Sequence, residues 1–181
     1  MVHIAKLAYA RGLVFGVGGN ISVRAGERIL ITPKGACLRN VKAEELVTSD
    51  LTGKTTGKKE PSIELPMHLA IYRTFPSVNA VIHAHSPFAT AWSTLRISLK
   101  SRTVEGRFIL GKVPVVGYAE PGTTKLAEAV CEKLREGKAV LLHNHGLVAV
   151  GSTLDEAFNL AETVEETAKI EVLAAILKHR L

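Results

Sequence analysis

The sequence predicts an α/β protein, and three observations carry the prediction. Short apolar runs of strand length, such as Ala80-Val81-Ile82 and Val140-Leu141-Leu142, alternate with segments whose apolar residues recur at helical spacing. Gly, Pro, Asn, Asp and Ser gather at nearly every junction between them. A length of 181 residues, 46% of them hydrophobic, suits one domain with a full core, expected over 1–181. No internal repeat, low-complexity tract or linker divides it.

In order, residues 4–11 read as a short helix with Ile4, Leu7 and Ala8 on one face, ended by Gly12. Gly16-Val17-Gly18-Gly19-Asn20 turns into a strand at 21–24, and Ala25-Gly26-Glu27 turns that strand back into another at 29–31. Thr32-Pro33-Lys34-Gly35 makes a second tight loop. Residues 44–47 form a short helix or a strand entry, Ser49-Asp50-Leu51-Thr52-Gly53 reads as a turn, and 53–60 as an exposed polar loop. Pro61-Ser62 opens a helix at 64–73, where Pro66 is tolerated near the first turn, and Thr74-Phe75-Pro76 stops it. After a strand that ends in histidines, a helix starts at Pro87 and aligns Phe88, Ala91, Trp92 and Leu95. Residues 100–112 declare no element. Val113-Pro114-Val115-Val116 reads as an edge strand, the place where a sheet tolerates proline. Gly122-Thr123-Thr124 caps a helix to Arg135, and strands follow at 138–142 and 147–150. Thr153-Leu154-Asp155-Glu156 starts a long helix in the manner of a capping box, apolar at Leu154, Ala157, Phe158, Ala161, Val164, Ala168 and Val172.

Composition narrows the classes of function. No apolar run approaches the ~20 residues of a membrane span and the N-terminus lacks a signal-peptide pattern, so a cytoplasmic protein without membrane association is expected. Cys37 and Cys131 are isolated, fit no metal-ligand or redox spacing, and are expected to be reduced core thiols. A net charge of +6 invites a nucleic-acid reading. The basic residues are scattered among glutamates, however, and aromatics able to stack bases are few, so an anionic small molecule fits the charge better. The lack of glutamine, beside many Lys, Arg and Glu, points to a thermophilic source.

The chemistry gathers at strand ends. In Val81-Ile82-His83-Ala84-His85-Ser86 the period of two puts both histidines on one face, roughly 7 Å apart along the backbone. Val140-Leu141-Leu142-His143-Asn144-His145-Gly146 repeats the pattern. One His-x-His is as readily a solvated strand end as a ligand pair. Two such strands point to a metal site built across a sheet, and neutral imidazole suits zinc. Glu64 lies near a helix start, where a carboxylate is favourably placed, with His68 four residues on; spacing alone makes them an exposed i,i+4 pair. Gly18-Gly19-Asn20, Thr32-Pro33-Lys34-Gly35 and Pro61-Ser62 offer backbone N–H groups, small side chains or a cation, as phosphate sites do, though none has the P-loop or dinucleotide spacing.

Gly19-Asn20-Ile21-Ser22-Val23-Arg24, Ile31-Thr32-Pro33-Lys34-Gly35, Pro61-Ser62-Ile63-Glu64, His83-Ala84-His85-Ser86 and Asn144-His145-Gly146-Leu147, in that order and spacing, resemble the class II sugar-phosphate aldolases. These are the zinc-dependent L-fuculose-1-phosphate and L-rhamnulose-1-phosphate aldolases, with L-ribulose-5-phosphate 4-epimerase as a relative. The resemblance covers nearly the whole chain. It implies a three-layer α/β domain with a mainly antiparallel central sheet flanked by helices, assembled as a homotetramer with active sites between subunits. It also implies one Zn²⁺ per subunit on His83, His85 and His145, not His143. Glu64 would ligate the ion at rest and swing away to act as the catalytic base. Gly19, Asn20, Lys34, Gly35, Ser62 and Ile63 fall on phosphate-binding positions.

The implied reaction splits a ketose 1-phosphate, of the L-fuculose 1-phosphate kind, between C3 and C4. It passes through a metal-stabilised enediolate of dihydroxyacetone phosphate and releases a short aldehyde. Three departures stand out. Lys34 replaces a hydroxyl residue, Ile63 replaces a second serine beside Ser62, and the sequence ends without the tail that carries a catalytic tyrosine in longer bacterial enzymes. The family's other proton-donating tyrosine falls near Val104 and Glu105, where none occurs, which leaves Tyr118 or Glu105 to take its place. The 4-epimerase carries aspartate at the Glu64 position and an added His/Asp-bearing segment, neither present here. A dehydratase of the methylthioribulose-phosphate type would use the same zinc triad. A Schiff-base aldolase and a scaffold with a vestigial site compete from further away.

Overall fold

Strands that are apolar on both faces need cover on both sides, and helices supply it here. The computed structural model describes residues 1–178. The last three residues of the expected domain lie outside the described residues. Helix α1 (Val2–Ala10) leads to strands β1 (Asn20–Ala25) and β2 (Arg28–Ile31), a 3₁₀ turn (Ala43–Glu45), and strands β3 (Val47–Asp50) and β4 (Thr55–Thr56). Then come α2 (Leu65–Thr74), β5 (Ala80–Ala84), α3 (Pro87–Ser93), β6 (Leu99–Lys100), α4 (Val104–Leu110), β7 (Lys112–Val113) and β8 (Val115–Val116). The described chain closes with α5 (Thr124–Leu134), β9 (Ala139–Leu142), β10 (Gly146–Gly151) and α6 (Leu154–Lys178).

Eight strands make one sheet in the order β4-β3-β2-β1-β5-β10-β9-β8. Its pairings are antiparallel except that β8 runs parallel to β9, so the fold is the expected α/β architecture with a mainly antiparallel sheet. Alternation along the strands divides the core. Ile21, Ile82, Leu141, Leu147 and Ala149 pack with Ile4 and Ala8 of α1, Ala89 of α3, and Phe158, Ala161, Val164 and Ala168 of α6. Val81, Val140, Leu142, Val148 and Val150 pack with α2 and α5 on the other side. Each such aliphatic side chain taken from water contributes about 1.5–3 kcal/mol, before the entropy of ordering it.

Both later helix starts carry the caps their sequences promise. Thr123 Oγ1 accepts from Leu126 N at 3.2 Å, and Thr153 Oγ1 accepts from Glu156 N at 3.1 Å, each satisfying a donor with no partner inside its helix. No helix among the described residues is long and apolar enough to cross a membrane.

Several local expectations are corrected. Ser49 and Asp50 belong to β3, paired with Ile29 and Arg28; the Asp50 carboxylate ends the strand by accepting from Thr52 N and Lys54 N at 2.8 and 3.0 Å. The exposed stretch 53–60 includes β4, which pairs with β3. Val113–Val116 is two strands: Val113 pairs with Leu99, while Val115–Val116 forms the sheet edge. Pro114 divides them, lacking an N–H while its carbonyl accepts from Leu141 N at 2.9 Å. On α3 the buried residues are Ala89 and Ser93, and Leu95 lies beyond the helix, exposed. On α1 Ala5 is buried and Leu7 only partly so. Cys37 is half-buried rather than a core thiol, whereas Cys131 is buried, and both are free.

Candidate metal centre and active site

β5 and β9 both run antiparallel to β10, so their C-terminal ends share one end of the sheet. His83 is the penultimate residue of β5 and His85 follows the strand, while His143 and His145 sit on the tight turn from β9 to β10. The turn fits against β5 because residue 146 has no side chain: a Cβ on Gly146, at φ +158°, would stand 2.2 Å from Ala84 O. Asn144 takes φ +58° in this turn, a conformation asparagine tolerates. From α3, Ser93 Oγ accepts from Asn144 N at 3.1 Å, and Ser93 O accepts from His143 Nδ1 at 3.0 Å. Arg96 Nε then donates to His143 Nε2 at 3.1 Å. His143 therefore braces the turn, and His145 is the residue it delivers.

The rings of His83, His85 and His145 converge, with centroids 4.7–4.8 Å apart. Their ligand atoms lie within 4.8 Å of one another, and they are the grouping found that could hold an ion among the described residues. His83 Nδ1 donates to Leu147 O at 2.9 Å, which leaves its Nε2 as a lone-pair donor in the neutral ring. That Nε2 stands 3.3 Å from His145 Nε2 and 2.8 Å from His85 Nε2. The first spacing equals the edge of a tetrahedron with Zn–N bonds of about 2.0–2.1 Å, about 3.3 Å; the second is tighter. Burial holds His83 well below the ordinary histidine pKa, helped by its two neighbours; it also lowers His145, and with His145 nearby it lowers His85 to about 4. Three neutral nitrogens aimed at one point repel one another unless something positive stands between them. The donor set fits a divalent ion.

A cavity of about 380 Å³ opens on this trio. The structure brings the residues expected at the phosphate and the expected base to its wall: Gly19 from the turn before β1 and Asn20 at the start of that strand, Lys34 and Gly35, and Ser62, Ile63 and Glu64. The Pro33–Pro61 bridge and the bonds from Lys34 N to Glu60 O and Ser62 N to Thr32 O, at 3.0 and 3.1 Å, zip the last two segments together. Gly18 lies against His85, where a Cβ would meet Nδ1 at 2.8 Å, so the turn closes over this imidazole only without a side chain.

Glu64 stands at the N-cap position of α2 and is 3% exposed. Burial raises its pKa, partly countered by Gly122 N–H, which donates to its carboxylate at 3.4 Å. It shares the cavity with the histidines but is not one of the converging trio. The exposed Glu64–His68 pair expected from spacing is overturned. Both residues are buried, and His68 bonds instead to Asn20 and Ser22. Lys34 Nζ pairs with Glu60 at 2.9 Å at the exposed mouth. Glu105 borders a separate cleft between α4 and α6, and exposed Tyr118 donates to Glu120 rather than reaching the cavity wall. His68, Arg96 and Ser93 are the supports that sequence reasoning misses. The alternation of polar Asn20, Ser22 and Arg24 in an otherwise apolar strand is the available signal for the first of them.

An α/β fold that gathers three imidazoles able to hold a metal ion, beside a buried carboxylate, at one end of its sheet is the class of protein this site defines. The family model described as "Class II Aldolase and Adducin N-terminal domain" matches residues 1–172, and the chain belongs to that family. It is 39% identical over 177 residues to an L-fuculose phosphate aldolase of Methanococcus maripaludis, covering 98% of this chain and 97% of that protein. It is 38% identical over 176 residues to a 3-oxo-tetronate 4-phosphate decarboxylase of Haemophilus influenzae, covering 94% and 84%. Among solved structures it superposes on an L-fuculose 1-phosphate aldolase with a TM-score of 0.92 at 35% identity, covering 97% of this chain and 84% of the other.

Proposed function

We propose that the chain is a metal-dependent lyase that splits a ketose 1-phosphate of the L-fuculose 1-phosphate kind into dihydroxyacetone phosphate and a short aldehyde, and runs the reverse condensation. The observation that carries this reading is the meeting, in one cavity, of three converging neutral imidazoles, a buried carboxylate and three anion-friendly turns. His83, His85 and His145 would hold one divalent ion per subunit, zinc by the preference of imidazole. The ion supplies positive charge against the negative charge that develops on the substrate's carbonyl oxygen. Glu64, made more basic by burial, takes the C4 hydroxyl proton as the C3–C4 pair moves toward the C2 carbonyl, and returns a proton to C3. The amide of Asn20, the Ser62 hydroxyl, Lys34, the backbone of Gly19 and Gly35, and the Ile63 backbone hold the phosphate.

A second reading is favoured by the relatives named 3-oxo-tetronate 4-phosphate decarboxylase at 38% identity. Decarboxylation breaks a C–C bond beside a ketone and sends the pair to the same oxygen, so this cavity would serve it. Relatives named L-fuculose phosphate aldolase at 39% and 41% identity support the first reading. Exposed Phe15, Val17, Val104, Phe108 and Tyr118 support association into a homo-oligomer; the resemblance to the class II sugar-phosphate aldolases implies a tetramer with sites between subunits, which light scattering on the purified protein would check.

The test is release of dihydroxyacetone phosphate from L-fuculose 1-phosphate, scored against carbon dioxide release from a 3-oxo-tetronate 4-phosphate and turnover of ribulose 5-phosphate. Activity is expected to vanish with chelator, return with zinc and survive borohydride. Glu64→Gln is expected to retain its metal while losing about 10²–10⁴-fold in turnover; near-normal turnover would remove Glu64 as the base.

A further inference from the structure

Behind the cavity wall, four side chains form a continuous polar file between β1 and α2. Asn20 Oδ1 meets His68 Nε2, His68 Nδ1 meets Ser22 Oγ, and Ser22 Oγ meets Tyr72 Oη, each at 2.6 Å. His68, Ser22 and Tyr72 are at most 1% exposed. Asn20 is the member that reaches the cavity, on the same face as His83, its register partner across β1 and β5.

The direction of this file follows from where each hydrogen can go. Burial pushes the Tyr72 phenol up from its ordinary pKa, so it keeps its proton. Its only side-chain acceptor among the described residues is Ser22 Oγ, so Tyr72 donates there. Ser22 Oγ–H is then left for His68 Nδ1. Burial lowers the His68 pKa to about 3, so the ring is neutral and its one hydrogen sits on Nε2. His68 Nε2–H therefore donates to an oxygen, and Asn20 must turn its carbonyl inward.

We propose that Tyr72, Ser22 and His68 act as positioning residues that lock the Asn20 side chain with its NH₂ group toward the cavity, so that the wall presents donors to an oxyanion. The Asn20 amide nitrogen has no protein partner among the described residues, and it is the group offered to the ligand. A flipped amide would offer a carbonyl oxygen and repel a phosphate. The orientation itself does not depend on which reaction the site performs. Only the identity of the anion rests on the sugar-phosphate reading.

Two measurements test this. Long-range ¹H–¹⁵N correlation of the imidazoles, on protein without ligand, is expected to show His68 protonated at Nε2; protonation at Nδ1 would overturn the proposal. Binding of inorganic phosphate to the metal-loaded protein is then compared among wild type, Asn20→Ala, His68→Leu and the double variant, with metal content as a control. Each single variant is expected to bind about tenfold more weakly, and the double variant no more weakly than Asn20→Ala alone. Additive losses would mean that His68 acts through general packing, and would overturn the proposal. If His68→Leu does not fold, Tyr72→Phe, which keeps the shape and removes the first donor, is expected to weaken phosphate binding; unchanged binding counts against the file. An Nε2–H tautomer in a protein that takes up no phosphate supports the orientation and instead sinks the sugar-phosphate reading.

Discussion

Ile82 and His83 are neighbours on one strand, equally buried, and they meet opposite surroundings. Ile82 joins a dry face made of Ile21, Leu147, Ala149 and the alanine-rich side of α6. His83 turns to the face that α2 covers, where Asn20, Ser22, His68 and Tyr72 are buried in hydrogen bonds beside the cavity. One pleat thus separates a layer that holds the sheet together from a layer that orients chemistry. The polar layer tolerates burial because each of these side chains finds at least one partner, and its aliphatic neighbours Val81, Val140 and Val148 pack around it.

The largest difference between the faces is expected from substituting these two neighbours in turn. On the proposed reading His83→Ala removes one of three ligands, and bound metal and turnover should fall at least a hundredfold, by metal analysis and assay. Ile82→Ala leaves the ligands in place but opens a cavity in the dry face. It is expected to cost about 2–5 kcal/mol of stability in denaturant unfolding, with metal per folded molecule unchanged. Equal metal loss in both would erase the division.

Acid sharpens the comparison next. The His68 pKa is held near 3 when folded against an ordinary 6.5, because burial disfavours its charged form. The unfolded chain therefore binds the proton more tightly. Stability present above about pH 6.5 is lost as pH falls toward 3, at about 1.4 kcal/mol per pH unit for this one group. Unfolding measured across that range should be less steeply pH-dependent by about this amount in His68→Gln, and unaltered in slope in Ile82→Ala.

The two layers are unequally legible. His-x-His on an apolar run announces a strand end because period two needs only three residues to be read, and the glycines before β1 mark a turn that must lie close to something. Helix α4 is hidden because its periodicity reports the wrong side. Val104 and Phe108 point to solvent, while Gly106 is buried against Ser101 and Thr167, where a Cβ would meet atoms at 2.2 and 2.9 Å. His68 reads as half of a surface pair because its true partners lie 46 and 48 residues away on β1. Arg96 takes φ +58° just after α3 to reach His143, a contact that only the folded turn creates. What local pattern encodes is readable; what two distant segments create by meeting is not.

The smallest expected effect lies at the cavity mouth, where Lys34 and Glu60 belong to neither layer. Both side chains are largely exposed, so solvent screens their 2.9 Å pair and it contributes little to stability. In substrate binding Lys34 has a different task, since it borders the cavity and its charge faces an incoming anion. Lys34→Ala is expected to leave unfolding unchanged and to weaken a phosphorylated substrate severalfold, an effect that shrinks as salt rises. Glu60→Ala removes the competitor for the same ammonium group and should tighten binding slightly under the same conditions. The opposite signs are the informative part: a lysine held only to stabilise the loop would lose or keep affinity alike in both variants, whereas one shared between a carboxylate and a phosphate must move in opposite directions.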